Sequence, residues 1–188
     1  MKTFFKGFCI GLLSLSLLGL LWFLVLQPGL TNKEAQDLKE EYAQPLPGES
    51  SGELPAGKEQ AASLVNLSAL QAEYPDIQGW ISIPGTCVDY PVLQSSADEP
   101  EYYLRRTYKG EHRTAGSIFF QWDCSPESRN LVVYGHNMSD GTMFAVLQKM
   151  ADEAFRTEHS KILLQTSDGL WEYRIAAVLK TDITKLSF

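Results

Sequence analysis

From Gly79 onward one pattern recurs. A short run of β-branched and aromatic residues is followed by Gly, Pro, Asn, Asp or Ser. Residues 79–83, 87–93, 116–121, 131–135, 161–166 and 171–179 read as six strands on this basis. Pro84-Gly85-Thr86 turns the chain between the first two, and Ser167-Asp168-Gly169 between the last two. Pro91 cannot donate to a ladder, so the second strand is expected to be an edge or to bulge there. Little helix separates the strands, and no internal repeat is seen. Residues 102–108 fit one or two helical turns, and 151–159 a short helical piece. Met143, Val146, Leu147 and Met150 fall at i, i+3, i+4 and i+7, the apolar stripe of a helix. Such a chain is mainly β, a barrel or sandwich with helical decoration.

The N-terminal third is different. Gly7 to Leu26 carries no charge and, as a helix, would span ~30 Å, the thickness of a bilayer core. Lys2 and Lys6 precede it, which predicts a cytoplasmic N-terminus and an exterior bulk. The apolar run is longer than a cleaved signal's core, and no small-x-small site follows, so an uncleaved anchor over residues 1–30 is expected. Thr31 to Glu34 fits a capping box, and Ala35, Leu38 and Tyr42 make a thin stripe, which predicts a short, mostly solvated stalk helix. Residues 45–57 are rich in Pro, Gly and Ser and read as linker. Residues 31–57 are thus a tether and 58–188 a globular domain. Within it, residues 58–73 read as helical, ended by Tyr74-Pro75.

Beyond the anchor, acids outnumber bases, which argues against nucleic acid as a partner. Cys9 falls in the anchor. Cys87 and Cys124 would face an oxidising exterior, but two cysteines alone do not establish a disulfide.

One stretch points to chemistry. Leu131 to Tyr134 reads as a buried strand, Gly135 permits a close backbone approach, and His136 follows where strand gives way to loop. Histidines at strand ends are often merely hydrogen-bonded, so position alone does not make this one catalytic. Asn137 and Asp140 are explained by turn formation and helix capping. His112 and His159 read as solvated. The spacing of the three histidines matches no compact metal-ligand pattern, and neither metal nor cofactor is expected.

Several stretches in order carry a resemblance. They are Tyr74-Pro75-Asp76-Ile77-Gln78-Gly79-Trp80-Ile81-Ser82-Ile83-Pro84-Gly85-Thr86, Asp89-Tyr90-Pro91-Val92, Tyr102-Tyr103-Leu104, Ala115-Gly116-Ser117-Ile118-Phe119, and Tyr134-Gly135-His136-Asn137-Met138 running on to Phe144. Over residues 61–182 the chain resembles the sortases, and class B sortases most closely. The resemblance implies a β-barrel with N-terminal and inserted helices, of which about six strands are present here. It implies a membrane-anchored cysteine transpeptidase of a Gram-positive-type envelope. Such an enzyme cleaves a C-terminal sorting signal of a secreted protein and joins the product to a cell-wall precursor or pilin amine. His136 matches the family's catalytic histidine, a general acid and then a general base.

The family's cysteine nucleophile and oxyanion-binding arginine have no match here. Cys124, on the loop before the strand that ends at His136, is expected to lie ~20 Å from it, and Cys87 to be a buried, inert thiol. The 188 residues are therefore expected to be the front part of a longer product, inactive alone. A different class of function is a non-catalytic module that binds sorting-signal peptides by strand addition.

Overall fold

The computed structural model describes residues 13–17, 19, 27–44 and 64–181. Helix α1, Gln27–Glu41, leads into strand β1, Ala43–Gln44, which pairs antiparallel with β2, Leu64–Val65. Helix α2, Leu67–Glu73, follows. A six-stranded sheet is then built from β3 (Ile77–Ser82), β4 (Asp89–Gln94), β5 (Ile118–Phe120), β6 (Val133–Tyr134), β7 (Lys161–Thr166) and β8 (Gly169–Arg174). Its order is β6-β5-β4-β3-β7-β8. Two 3-10 helices, Tyr102–Arg105 and Phe144–Ala151, and helix α3, Glu153–Glu158, are inserted between strands.

β4 and β5 set the layering. β4 pairs antiparallel with β3 (Ile81 opposite Tyr90) and parallel with β5 (Val92 opposite Ile118). Successive side chains of a strand point to opposite faces. Val92, Ile118 and Phe120 therefore enter one core with Ile81, Met143 and Met150, while Leu93 and Phe119 enter a second with Leu70 and Trp80. Both faces are covered at this point, which is why Ile118-Phe119-Phe120 is an unbroken buried apolar run.

Several expectations are corrected. β4 is an inner strand rather than an edge of the sheet, but Pro91 itself falls where only the β3 side is laddered. It sits opposite Trp80 in register, and the ladder to β5 begins one residue later, at Val92, while the register shift falls on β3 between Ile77 and Gly79. Leu64 and Val65 are strand, because their backbone pairs with Ala43 and Gln44. The helix starts only after Asn66, whose side chain accepts from the Ala69 amide at 3.1 Å. The Met143 stripe does face the core, with Met143, Val146 and Met150 buried, but its turns are 3-10 rather than α. The sixth strand ends at Arg174, and Trp171 and Tyr173 are exposed.

The largest correction concerns α1. It is not a solvated stalk. Ala35 and Leu38 are buried, 5% and 3% exposed. Lys39 pairs with Asp89 of β4 at 2.7 Å, and Glu34 takes both guanidinium nitrogens of Arg113. Leu38 packs in the second core, so Leu38→Ala should cost about 2–4 kcal/mol by transfer and cavity terms. Denaturant unfolding of the full chain checks this, since a solvated helix would lose less than ~0.5 kcal/mol.

The expected anchor and linker fall mostly outside the described residues. Of the anchor, residues 13–17, 19 and 27–30 are described and helical, the last four being the start of α1. Among the described residues no helix is long and apolar enough to cross a membrane.

Candidate active site around His136

β6 delivers the site. Val133 and Tyr134 pair with Phe120 and Phe119 of β5, and the chain leaves the sheet at Gly135. A Cβ on Gly135 would sit 2.6 Å from the Phe144 ring, so only glycine lets that ring lie against the backbone. His136 comes next and is half-buried.

The loop after it closes on itself. The Phe144 amide donates to the His136 carbonyl at 2.9 Å, Asn137 and Met143 form an antiparallel bridge, and the Gly141 amide donates to Met138 O at 3.2 Å. Asp140 Oδ1 accepts from the Thr142 amide at 2.8 Å and from its hydroxyl at 2.6 Å. The carboxylate thus forms the turn, as its sequence context suggested. Met143 has φ 56° and ψ −129°, a conformation that side chains rarely adopt, at a cost of about 1–3 kcal/mol. It is held there by its buried side chain and by the Tyr90 hydroxyl, which accepts from its amide at 3.1 Å.

Among the described residues the imidazole has one hydrogen-bond partner. His136 Nε2 lies 2.9 Å from the Leu104 carbonyl oxygen. A carbonyl can only accept, so Nε2 carries the proton, and in the neutral ring the lone pair is on Nδ1. Leu104 is in the Tyr102–Arg105 turn, and that turn is pinned on several sides. The Ser117 amide donates to Tyr103 O at 2.9 Å, the Arg113 amide to Arg105 O at 2.9 Å, and Ser117 Oγ to Arg106 O at 2.8 Å. Tyr103 is buried and donates its hydroxyl to the Asp76 carboxylate. The ring is therefore oriented by a backbone atom of a turn that is itself tied down, and no hydrogen-bond partner of Nδ1 is seen among the described residues.

The remaining candidates lie elsewhere. His112 is exposed and bridges to Arg106. His159 is not solvated, contrary to expectation. Its side chain is 10% exposed, its Nδ1 is 2.9 Å from Pro84 O, and its ring is 4.3 Å from that of Phe155. This is a packing histidine joining α3 to the β3–β4 turn. No group of three His, Cys, Asp or Glu that could hold a metal occurs among the described residues.

Cys87 and Cys124 are both free thiols. Cys87 donates to Gly141 O at 3.2 Å, and burial pushes its thiol above the usual range, which disfavours the thiolate. Cys124 stays on the β5–β6 loop, 3.4 Å from Asn130 O, at the end of β6 away from His136.

Comparison with known proteins gives a consistent picture. The sortase domain family matches residues 81–188. Sortase B of Listeria monocytogenes is 40% identical over 117 residues, 61% of this chain and 47% of that protein. Sortase B of Staphylococcus aureus is 33% identical over the same length. The chain thus spans about half the length of the curated relatives it matches. A crystal structure from Bacillus anthracis, described as similar to sortase B, superposes with TM-score 0.61 at 30% identity, covering 86% of this chain and 75% of that one. The six-stranded sheet and the matched sequence together place this chain in the sortase B family.

Proposed function

We propose that the chain supplies the proton-transfer half of a cysteine transpeptidase site, with His136 as the group that moves the proton. The observation that carries this is the Nε2–Leu104 bond, which fixes the ring and leaves Nδ1 to work. A cysteine thiolate attacks the carbonyl carbon of a sorting-signal peptide bond. The C–N bond breaks, protonated His136 gives its proton to the leaving amine, and a thioester remains. An incoming amine attacks that thioester, His136 takes the proton it sheds, and an amide forms as the thiolate departs. An arginine would stabilise the oxyanion in both steps.

Cys87 Sγ is turned to the Gly141 carbonyl and Cys124 Sγ to that of Asn130, and neither is proposed as the attacking thiol. The partners would be secreted proteins bearing a C-terminal sorting motif and a cell-wall precursor or pilin amine. The uncharged run from Gly7 to Leu26 would anchor the protein in the cell membrane, with the domain on the outer face. A second reading has one observation in its favour. β8 is an outer strand of the sheet among the described residues, with Leu170, Trp171 and Tyr173 exposed, and would suit peptide capture by strand addition without cleavage.

A chimera separates the two. The 117-residue stretch shared with the Listeria protein replaces its counterpart there, and the product is given a sorting-signal peptide and a small amine. Ligated product supports the transpeptidase reading. Peptide binding without product supports the capture module.

A further inference from the structure

Tyr90 belongs to no part of the chemistry above, yet its hydroxyl joins two regions far apart in sequence. It donates to Asn32 Oδ1 on α1 and accepts from the Met143 amide. The ring is 3% exposed, and burial pushes the phenol up to about 12, so the proton needed for donation is present at neutral pH. Met143 is the residue in the unfavourable backbone conformation. It bridges to Asn137, and the next amide, that of Phe144, holds the His136 carbonyl. A continuous set of contacts therefore runs from the N-terminal helix to the imidazole: Asn32, Tyr90, Met143, then the clasp around His136. The helix end of this set is seated independently, by Lys39 on Asp89 and Glu34 on Arg113.

We propose that the Tyr90 hydroxyl, gripped between Asn32 and the Met143 amide, is a positioning group for His136, so that docking of α1 sets the geometry of the imidazole. The N-terminal helix is then part of the site rather than a spacer. In its absence Tyr90 loses the acceptor that aims its hydroxyl, and the Met143 turn is free to relax, carrying His136 away from Leu104. The catalytic consequence rests on the reading of His136 given above. The coupling itself does not, and it is measured without turnover.

The experiment uses the full 188-residue chain, isotopically labelled at histidine and methionine, in detergent micelles. Tyr90→Phe keeps the ring and removes the hydroxyl. It should speed exchange of the Met143 amide about tenfold, the worth of one buried hydrogen bond, and shift the His136 ring resonances while leaving those of His112 and His159 in place. Asn32→Ala, which leaves the core untouched, should move His136 the same way by a smaller amount. Asn32→Asp keeps an acceptor and should restore the wild-type signals. Asn32→Ala added to Tyr90→Phe should change nothing further, because both act through one hydroxyl. Unchanged His136 resonances with Met143 exchange within about twofold of wild type, in Tyr90→Phe or, if that variant does not fold, in Asn32→Ala, would overturn the proposal. So would effects of the two substitutions that simply add.

Discussion

Replacing His136 by alanine in the Listeria chimera lowers transpeptidation by about 10²–10⁴-fold, the usual worth of a positioned general acid–base. The reasoning is geometric. Expulsion of an amine from a tetrahedral intermediate needs a proton at the nitrogen, and the ring fixed by Leu104 O is the proposed donor. The loss should fall on kcat rather than KM, because the proposed task of the ring is to move a proton rather than to hold the peptide. His159→Ala in the same chimera should leave the rate within about threefold, since that ring packs on Phe155 and the Pro84 carbonyl.

Gly116→Ala should be the most damaging conservative change in the fold. The residue has φ +58°, and an added Cβ would lie 2.3 Å from Leu104 O and 2.6 Å from Tyr103 O. Those are backbone atoms that cannot swing aside. The turn must move, and it carries both the buried Tyr103 ring and the carbonyl that orients His136. Adding the left-handed penalty to the displacement gives about 3 kcal/mol of lost stability, or a Tm lower by about 6–12 °C in a chain of this size. Gly141→Ala is the control. Gly141 also has positive φ, +87°, but a Cβ there meets nothing within 4 Å. Its cost should be the conformational part alone, about 1 kcal/mol.

The elements legible in the sequence were those whose causes are local. Lys161–Thr166 is the strand its apolar run and the following Ser-Asp-Gly turn predict. Asp140 caps its turn as expected, and His136 stands at the end of a strand. The errors came where a distant partner decides. Leu64 and Val65 fit a helical stripe, but β1 recruits their backbone from about twenty residues away. The α1 stripe looked too thin to bury because Asp89 and Arg113, which complete its dock, lie 50 and 79 residues from Lys39 and Glu34. His159 looked solvated because the Pro84 carbonyl that claims it is 75 residues distant. The partner of His136 could not be read at all, since a main-chain carbonyl leaves no mark on residue identity. Gly116, beneath that carbonyl, was the available signal. A lone glycine at the start of an apolar strand often marks close backbone approach, and Ala115-Gly116-Ser117 had one.

The most direct measurement is the tautomer of His136. ¹⁵N-histidine NMR of the full chain, taken well above the ordinary imidazole titration range, distinguishes a protonated Nε2 from a protonated Nδ1. A ring that donates to Leu104 O carries its proton on Nε2 and leaves Nδ1 bare. A proton found on Nδ1, or rapid averaging between the two nitrogens, would mean that the carbonyl does not hold the ring, and the site described here would not be the one the protein uses.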